Sequence, residues 1–219
     1  MTMIALRPPV PLSIPEPVGL SDRLSDTFVQ AMQAVSGFIE APLFQQRLAQ
    51  IMLHQMRTSR ALQECSPDSL IASVIMIAQA GLDPSAMNEV FLIPYQGKAT
   101  VQVGYAGLIK LACAHPDVHD VFADEVCIND EYVFYGVEKR PLHRYPAQFA
   151  PRGRHIGYYA CAILSGGRER AVQLSVEEVK AHAQQYSQNA SKKVWSEGQG
   201  GGFRGMALKT VLRKLCNTK

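Results

Sequence analysis

Apolar residues along the first third of the chain recur at three- and four-residue intervals. This is the spacing that puts them on one side of an α-helix. Phe28, Val35, Phe38 and Ile39 give one such stripe, and the pattern predicts a helix from Ser21 to about Phe38, with Ser21 or Asp22 as its cap. Leu43, Phe44, Leu48, Ile51, Met52 and Met56 predict a second helix after Pro42. Ser66-Pro67-Asp68 reads as an N-cap followed by proline at the first helical position, and Leu70, Val74, Ile77 and Ala78 continue a third helix that Gly81 ends. The pattern then changes character. Val90–Tyr95 and Ala99–Val103 flank Gln96-Gly97-Lys98, a hairpin signal. Helical spacing returns from Gly104 to Ala114. Val118–Val126, Tyr132–Tyr135, Ile156–Leu164 and Arg170–Leu174 predict strands, the last two joined by a Gly166-Gly167 turn. Ser175-Val176-Glu177-Glu178 is a capping box that opens a helix through Tyr186. Residues 187–202 are polar and glycine-rich, hence a loop, and a final helix covers about Phe203–Cys216.

These elements predict an α+β fold: N-terminal helices, a central antiparallel sheet and C-terminal helices. Residues 1–20 hold Pro8, Pro9, Pro11, Pro15 and Pro17 and read as a flexible extended arm. The remainder, 21–219, reads as a single core domain with a helical part over 21–85 and a sheet-and-helix part over 86–219. Between residues 8 and 46 the lone basic residue is Arg23. The arm and first helix are therefore expected to serve assembly more than contact with an anion, because the apolar stripe needs the core or a neighbouring subunit to cover it.

Composition changes this picture little. With 219 residues, 47% of them hydrophobic and 19% charged, the chain is long enough for a sizeable globular core. Five cysteines, at 65, 113, 127, 161 and 216, form no CxxC pair, which argues against a disulfide framework or a zinc ribbon and for free thiols in a reducing cytosol. No stretch approaches the roughly 18 apolar residues of a membrane helix, and Met1–Leu6 does not begin a signal peptide.

Charge matters through its placement. The net charge is only +3. Lys139, Arg140, Arg144, Arg152, Arg154, Arg168 and Arg170 nevertheless fall in one sheet region, and Lys192, Lys193, Arg204, Lys209, Arg213, Lys214 and Lys219 crowd the C-terminal part, where Glu197 is the one acid. Lys209 and Arg213 are four apart, on one helix face, while Leu208, Val211, Leu212 and Leu215 supply the buried face. Such a helix can anchor on a sheet and still offer cations to phosphates. Tyr95, Tyr105, Tyr135 and Trp195 lie among these charges, and aromatic rings stack on bases in single-strand binders.

Signals for catalysis are poorer. There is no GxxxxGK[ST], GxGxxG or HExxH. The turn Gly104-Tyr105-Ala106-Gly107 lacks the rest of a phosphate-loop fingerprint, and tight packing explains its glycines; a small-molecule enzyme using it is the weaker rival. Asp117, Asp120, Asp124, Glu125, Asp130 and Glu131 form an acidic cluster that a metal-dependent nuclease could use. Asp124 and Glu125 point to opposite faces of a strand, so a solvated strand edge is the preferred reading. His143 and His155 read as surface histidines, and His115 as a helix-end residue that favours the dipole.

Leu82-Asp83-Pro84, Asn88–Tyr95, Gln102–Ala112, Asn129–Tyr132, Gly157–Ala160, Ser175–Val179, then Phe203, Met206 and Lys209–Leu215 together resemble, in order, the RecT family of phage recombinases. The resemblance implies an ATP-independent protein, not an enzyme, that binds single strands without metal or nucleotide and anneals complements. It also implies a small curved antiparallel sheet backed by helices with DNA in a groove, a ring or helical filament of subunits, a phage exonuclease as companion, and a cytoplasmic place in a bacterial host. The candidate DNA-binding residues are then Lys98, Gln102, Tyr105, Lys110, Arg140, Lys192, Lys193, Trp195, Arg204, Lys209, Arg213 and Lys214. Three departures stand out. Ala106 replaces a common lysine. The interval from Trp195 to Phe203 is long and glycine-rich, and Arg204-Gly205 follow Phe203 where family members usually have acids. The sequence ends just past the last motif, where relatives usually continue into a partner-binding region; the chain is either truncated or short, and partner binding through that region is not argued from it.

Overall fold

A computed structural model describes residues 16–17, 19–36, 42–147, 150–186, 195–196 and 202–217. The chain divides into two compact units, 1–102 and 103–219.

The first unit is helical with one β-hairpin. Its helices are α1 (Asp22–Ser36), α2 (Pro42–Thr58), α3 (Arg60–Gln63) and α4 (Pro67–Gln79). The α1 stripe finds its cover inside the chain. Phe28 and Val35 are fully buried, and α1 packs on α4. No neighbouring subunit is needed to shield these two residues; Phe38 and Ile39 lie outside the described residues. The third helix ends as the sequence predicts. Gly81 adopts φ +63, its N–H bonds to the Ala78 carbonyl, and the Leu82 N–H reaches Ile77 at 3.1 Å, a Schellman closure with Leu82 buried beneath it. The short α3, capped by the Ser59 hydroxyl on the Leu62 N–H, had no sequence signal of its own.

Strands β1 (Val90–Tyr95) and β2 (Lys98–Val103) form the hairpin. Gln96 and Gly97 both take positive φ (47 and 72), the two-residue turn whose twist suits a tight hairpin. The start of α4 holds the hairpin in place. Ser66 donates its N–H to the Gly97 carbonyl, the Ala99 N–H bonds to the Ser69 hydroxyl, and the Ser73 hydroxyl bonds to the Ala99 carbonyl. The Leu82-Asp83-Pro84 and Asn88-Glu89 segments are structural here. Buried Glu89 accepts the Asp83 N–H, and buried Asp83 accepts from Ser85 and pairs with Arg47 at 2.8 Å.

The second unit is built on a three-stranded antiparallel sheet, β3 (Val118–Cys127), β6 (His155–Leu164) and β7 (Glu169–Ser175), in the order β3-β6-β7. Side chains alternate across it. Val121, Tyr158, Ala160, Ala162, Val172 and Leu174 meet Ala207, Leu208, Val211 and Leu212 of α7 (Phe203–Asn217) in the main core. Helix α5 (Tyr105–Cys113) packs against both α7 and β3, and α6 (Val176–Tyr186) follows β7. The capping box forms as predicted: the Glu178 carboxylate accepts the Ser175 N–H, and the Ser175 hydroxyl accepts the Glu178 N–H.

The fold is α+β with small antiparallel sheets. The predicted central sheet divides into the three-stranded sheet and two ribbons, because the predicted 132–135 strand does not join β3. It pairs instead, as β4 (Glu131–Val133), with β5 (Leu142–Arg144), a strand absent from the sequence reading. This ribbon covers the sheet face opposite α7. The Tyr132 ring lies 5.5 Å from that of Tyr159, and the Tyr132 hydroxyl donates to Gln173 at 3.0 Å. Burial pushes the Tyr132 phenol up to about 12.

Candidate nucleic-acid interface

Helix α7 carries the densest set of candidate residues. Its buried arc is wide, including Phe203, Ala207, Leu208, Lys209, Thr210, Val211, Leu212 and Leu215, because the sheet covers one side and α5 another. That width corrects the expectation of a shared cationic face. Arg213 and Lys214 are exposed, but Lys209 is only 5% exposed. Burial, with the Arg213 charge adding to it, lowers the Lys209 ammonium to about 8.

The sign of that shift yields a prediction. Below about pH 8 Lys209 is charged in both folded and unfolded chains, and the folded state bears the full cost of desolvating it. As pH rises from 8 toward the ordinary value of 10.5, the unfolded chain still holds the proton and the folded one does not, so stability rises. Lys209→Met should therefore stabilise the protein at pH 7, by on the order of 1 kcal/mol. It should also flatten the rise above pH 8. Denaturation midpoints across this range test both effects, and a less stable variant at pH 7 would show that the ammonium makes a favourable buried contact.

Arg204 is engaged as well. Its Nε lies 2.6 Å from the Glu125 carboxylate, fastening the first turn of α7 to β3. Trp195 is half-buried, with its ring 6.0 Å from Phe203, which in turn lies 6.1 Å from Tyr158. These edge-to-face contacts tie the tryptophan to the main core. On α5, Tyr105 is half-buried in the first turn and Lys110 is exposed in the last. Because α5 packs on α7, the unit brings Tyr105, Lys110, Arg213 and Lys214 onto neighbouring helices. Gly104 and Gly107 are both buried there, and Gly104 sits at an extended φ of −81, so no left-handed backbone calls for a glycine at that position. Arg140 is exposed near β7, its backbone N–H bonded to Glu169 at 2.7 Å. Lys98 is exposed and Gln102 half-buried on β2 of the first unit. Lys192 and Lys193 lie outside the described residues.

The acidic segment holds the most developed polar cluster, and the sequence reading missed it. The Asp130 side chain is fully buried. Arg152 meets it with a two-pronged contact, Nε to Oδ1 at 3.0 Å and Nη2 to Oδ2 at 2.7 Å, and the same guanidinium bonds to the Glu125 carbonyl at 2.8 Å. The Asp130 carboxylate also accepts the Cys127 N–H at 2.8 Å and lies 3.0 Å from His143 Nε2. Hydrogen bonding from Arg152 holds it well below the usual carboxylate range despite its burial. His143 is buried too, 5% exposed, with Nδ1 3.1 Å from the Tyr159 hydroxyl; the surface-histidine reading fails for it because the ribbon folds it against the sheet. His155 is exposed as expected. Tyr145 donates to Asp124 at 2.5 Å, and Arg152 stacks 4.1 Å from the Tyr145 ring.

The solvated-edge reading therefore holds for Asp117, Asp120 and Glu131 but not for Asp124, Glu125 and Asp130. Asp124 and Glu125 do face opposite sides of β3, one toward Tyr145 and the other toward Arg204. Arg152 pairs with both Asp130 and Glu125 and Arg204 with Glu125, while Asp124 accepts from Tyr145 and lies 3.7 Å from His143. Among the described residues no group of three or more His, Cys, Asp or Glu side chains is arranged to hold a metal ion. Arg152, one of the sheet cations, is thereby committed to internal structure. Among the described residues no helix is long and apolar enough to cross a membrane.

A model of the RecT family matches residues 46–218. Over 182 residues the chain is 26% identical to Protein RecT of Escherichia coli (strain K12), in an alignment that covers 78% of this chain and 64% of that protein. The chain thus spans a little under two thirds of that relative's length. The family match runs from within α2 to the end of α7, through every strand of both units, and on this evidence the chain belongs to the RecT family.

Proposed function

We propose that this protein binds single-stranded DNA and anneals complementary strands in phage-type homologous recombination, without ATP, metal or bond-making chemistry. The observation that carries the reading is the family match across both units. Exposed Lys110, Arg213 and Lys214 on two packed helices give it a physical basis, since cations on rigid elements lose little ordering entropy when they meet phosphates. Bound cations screen the repulsion between two strands, and a strand held with its bases outward can be tested by another. Correct pairs then gain stacking of on the order of 1.4 kcal/mol per step, and mismatches forfeit it. A groove in the fold would hold the strand, and subunits side by side, in a ring or filament, would extend it and add avidity. A phage exonuclease that exposes the strands is the companion activity, and the bacterial cytoplasm the place.

The alternative, a metal-dependent nuclease using the 117–131 carboxylates, is disfavoured by the engagement of Asp130 and Glu125 with Arg152 and Arg204. One experiment separates the two. Labelled complementary strands are mixed with the protein in EDTA without nucleotide, and in parallel one labelled strand is incubated with protein and Mg²⁺. Accelerated pairing of intact strands in EDTA is the expected result. Pairing that stops on chelation, or cleavage with Mg²⁺, would overturn the reading.

A further inference from the structure

The segment that links β4 to β5 carries an exposed aromatic ring beside cations, along the free edge of β7. Tyr135 is 51% exposed, and the Lys139 ammonium sits 4.5 Å from its ring centroid. Arg140, whose backbone N–H bonds to Glu169, and Arg168, the residue just before Glu169, are exposed. The segment is pinned rather than loose. The Ala171 N–H of β7 donates to the Val137 carbonyl at 2.8 Å, and the Arg140 N–H to Glu169 at 2.7 Å. Gly136 between Tyr135 and Val137 takes φ +106, a backbone conformation that turns the chain there at little cost only for glycine. The result is a fixed ring presented to solvent along the free edge of β7, with the Lys139 ammonium against it and Arg140 and Arg168 exposed on the same edge, while the acid of the segment, Glu138, pairs with Arg170 at 3.7 Å.

We propose that Tyr135, Lys139, Arg140 and Arg168 form a second single-strand contact, separate from the cations of α5 and α7, which holds an incoming strand until it pairs. The inference rests on the annealing function proposed above. Its chemistry selects unpaired nucleic acid. Phosphates meet the lysine and arginines, and a base lies on the ring. In a duplex the base faces are already covered by their neighbours, so pairing removes the stacking part of the attraction and lets the strand leave. Annealing requires two strands to be held near each other against their own repulsion, and a contact at the β7 edge, distinct from the cations of α5 and α7, holds the second strand apart from the first until bases meet.

The test uses the full chain loaded with a labelled oligonucleotide, to which a second, non-complementary oligo(dT) carrying a different label is added. The variants are Tyr135→Ala and Lys139→Ala/Arg168→Ala, with Tyr135→Phe as the control that keeps the ring. The expected result is first-strand affinity within about twofold of wild type, capture of the second strand reduced about tenfold by Tyr135→Ala, and recovery with Tyr135→Phe. Side chains this exposed are replaceable without unfolding, and melting curves recorded on the same samples check it. Unchanged second-strand capture in both variants would overturn the proposal, as would an equal loss of first-strand binding, which would place the patch in the first-strand site. Wild-type protein that binds no strand at all would instead sink the annealing function itself.

Discussion

Arg152→Ala should lower the stability of the protein by about 3–5 kcal/mol, because it strands a buried carboxylate. Asp130 has no exposed side-chain surface, and Arg152 supplies its shortest side-chain contact, at 2.7 Å, and a second at 3.0 Å. The remaining partners are the Cys127 N–H and one His143 ring nitrogen, neither of which offers the two-pronged fork of a guanidinium. Arg152 also carries the contact to the Glu125 carbonyl and the stacking on Tyr145, so alanine removes these side-chain links between β3 and the segment before β6 in one step. Arg152→Lys keeps the charge but not the fork, and should lie between. Replacing both partners, as Asp130→Asn with Arg152→Met, should cost less than Arg152→Ala alone, since no charge is then left buried. Urea midpoints at constant m measure all three, and a loss below about 1 kcal/mol for Arg152→Ala would mean that water reaches Asp130.

The same contact sets an acid limit. The Asp130 carboxyl is held below its ordinary value of 3.8, so its contribution is complete above that pH and is lost as pH falls through the lowered one. Wild type should lose stability steadily below about pH 4, and Arg152→Ala should lose less over the same interval because its carboxyl titrates nearer the ordinary value.

Local signals were legible and distant ones were not. The Gly81 closure, the Gln96-Gly97 turn and the Ser175–Glu178 capping box each depend on residues within a few positions of one another, and each forms where the sequence puts it. The long strands β3 and β6 exceed their predicted bounds by a residue at an end. β5 escaped notice because it is three residues long and sits between Pro141 and Pro146 with no alternation to mark it. The Arg152 cluster joins residues 22 and 27 apart, and Arg204 reaches Glu125 across 79 positions; charge counting shows that such partners exist but not which meet. Lys209 and Arg213 illustrate the limit most directly. Their four-residue spacing was read correctly as one helical side, yet the packing of α5 alongside the sheet decides that one is covered and the other is not.

That difference leads to the prediction that bears most on function. Raising salt from about 50 to 200 mM should weaken single-strand binding about 20-fold if three phosphates are neutralised, since each contributes about 0.7 to the slope of log affinity against log salt. The exposed candidates Lys110, Arg213 and Lys214 of α5 and α7 supply that number. Arg213→Ala should then reduce the slope by about 0.7 and weaken binding several-fold at low salt, with the same effect on unrelated base sequences. Its stability should hardly change, because the side chain is exposed on a helix fixed by Leu208, Val211, Leu212 and Leu215. Lys209→Ala is expected to behave in the opposite way: its effect should fall on stability and its pH dependence, with the salt slope preserved, because a buried ammonium titrating near pH 8 has little surface to offer a phosphate. Oligonucleotide titrations at four salt concentrations, run beside thermal melts, separate the two variants. A lower slope for Lys209→Ala with an unchanged one for Arg213→Ala would place the strand along the opposite side of α7 and reverse the assignment of its cations.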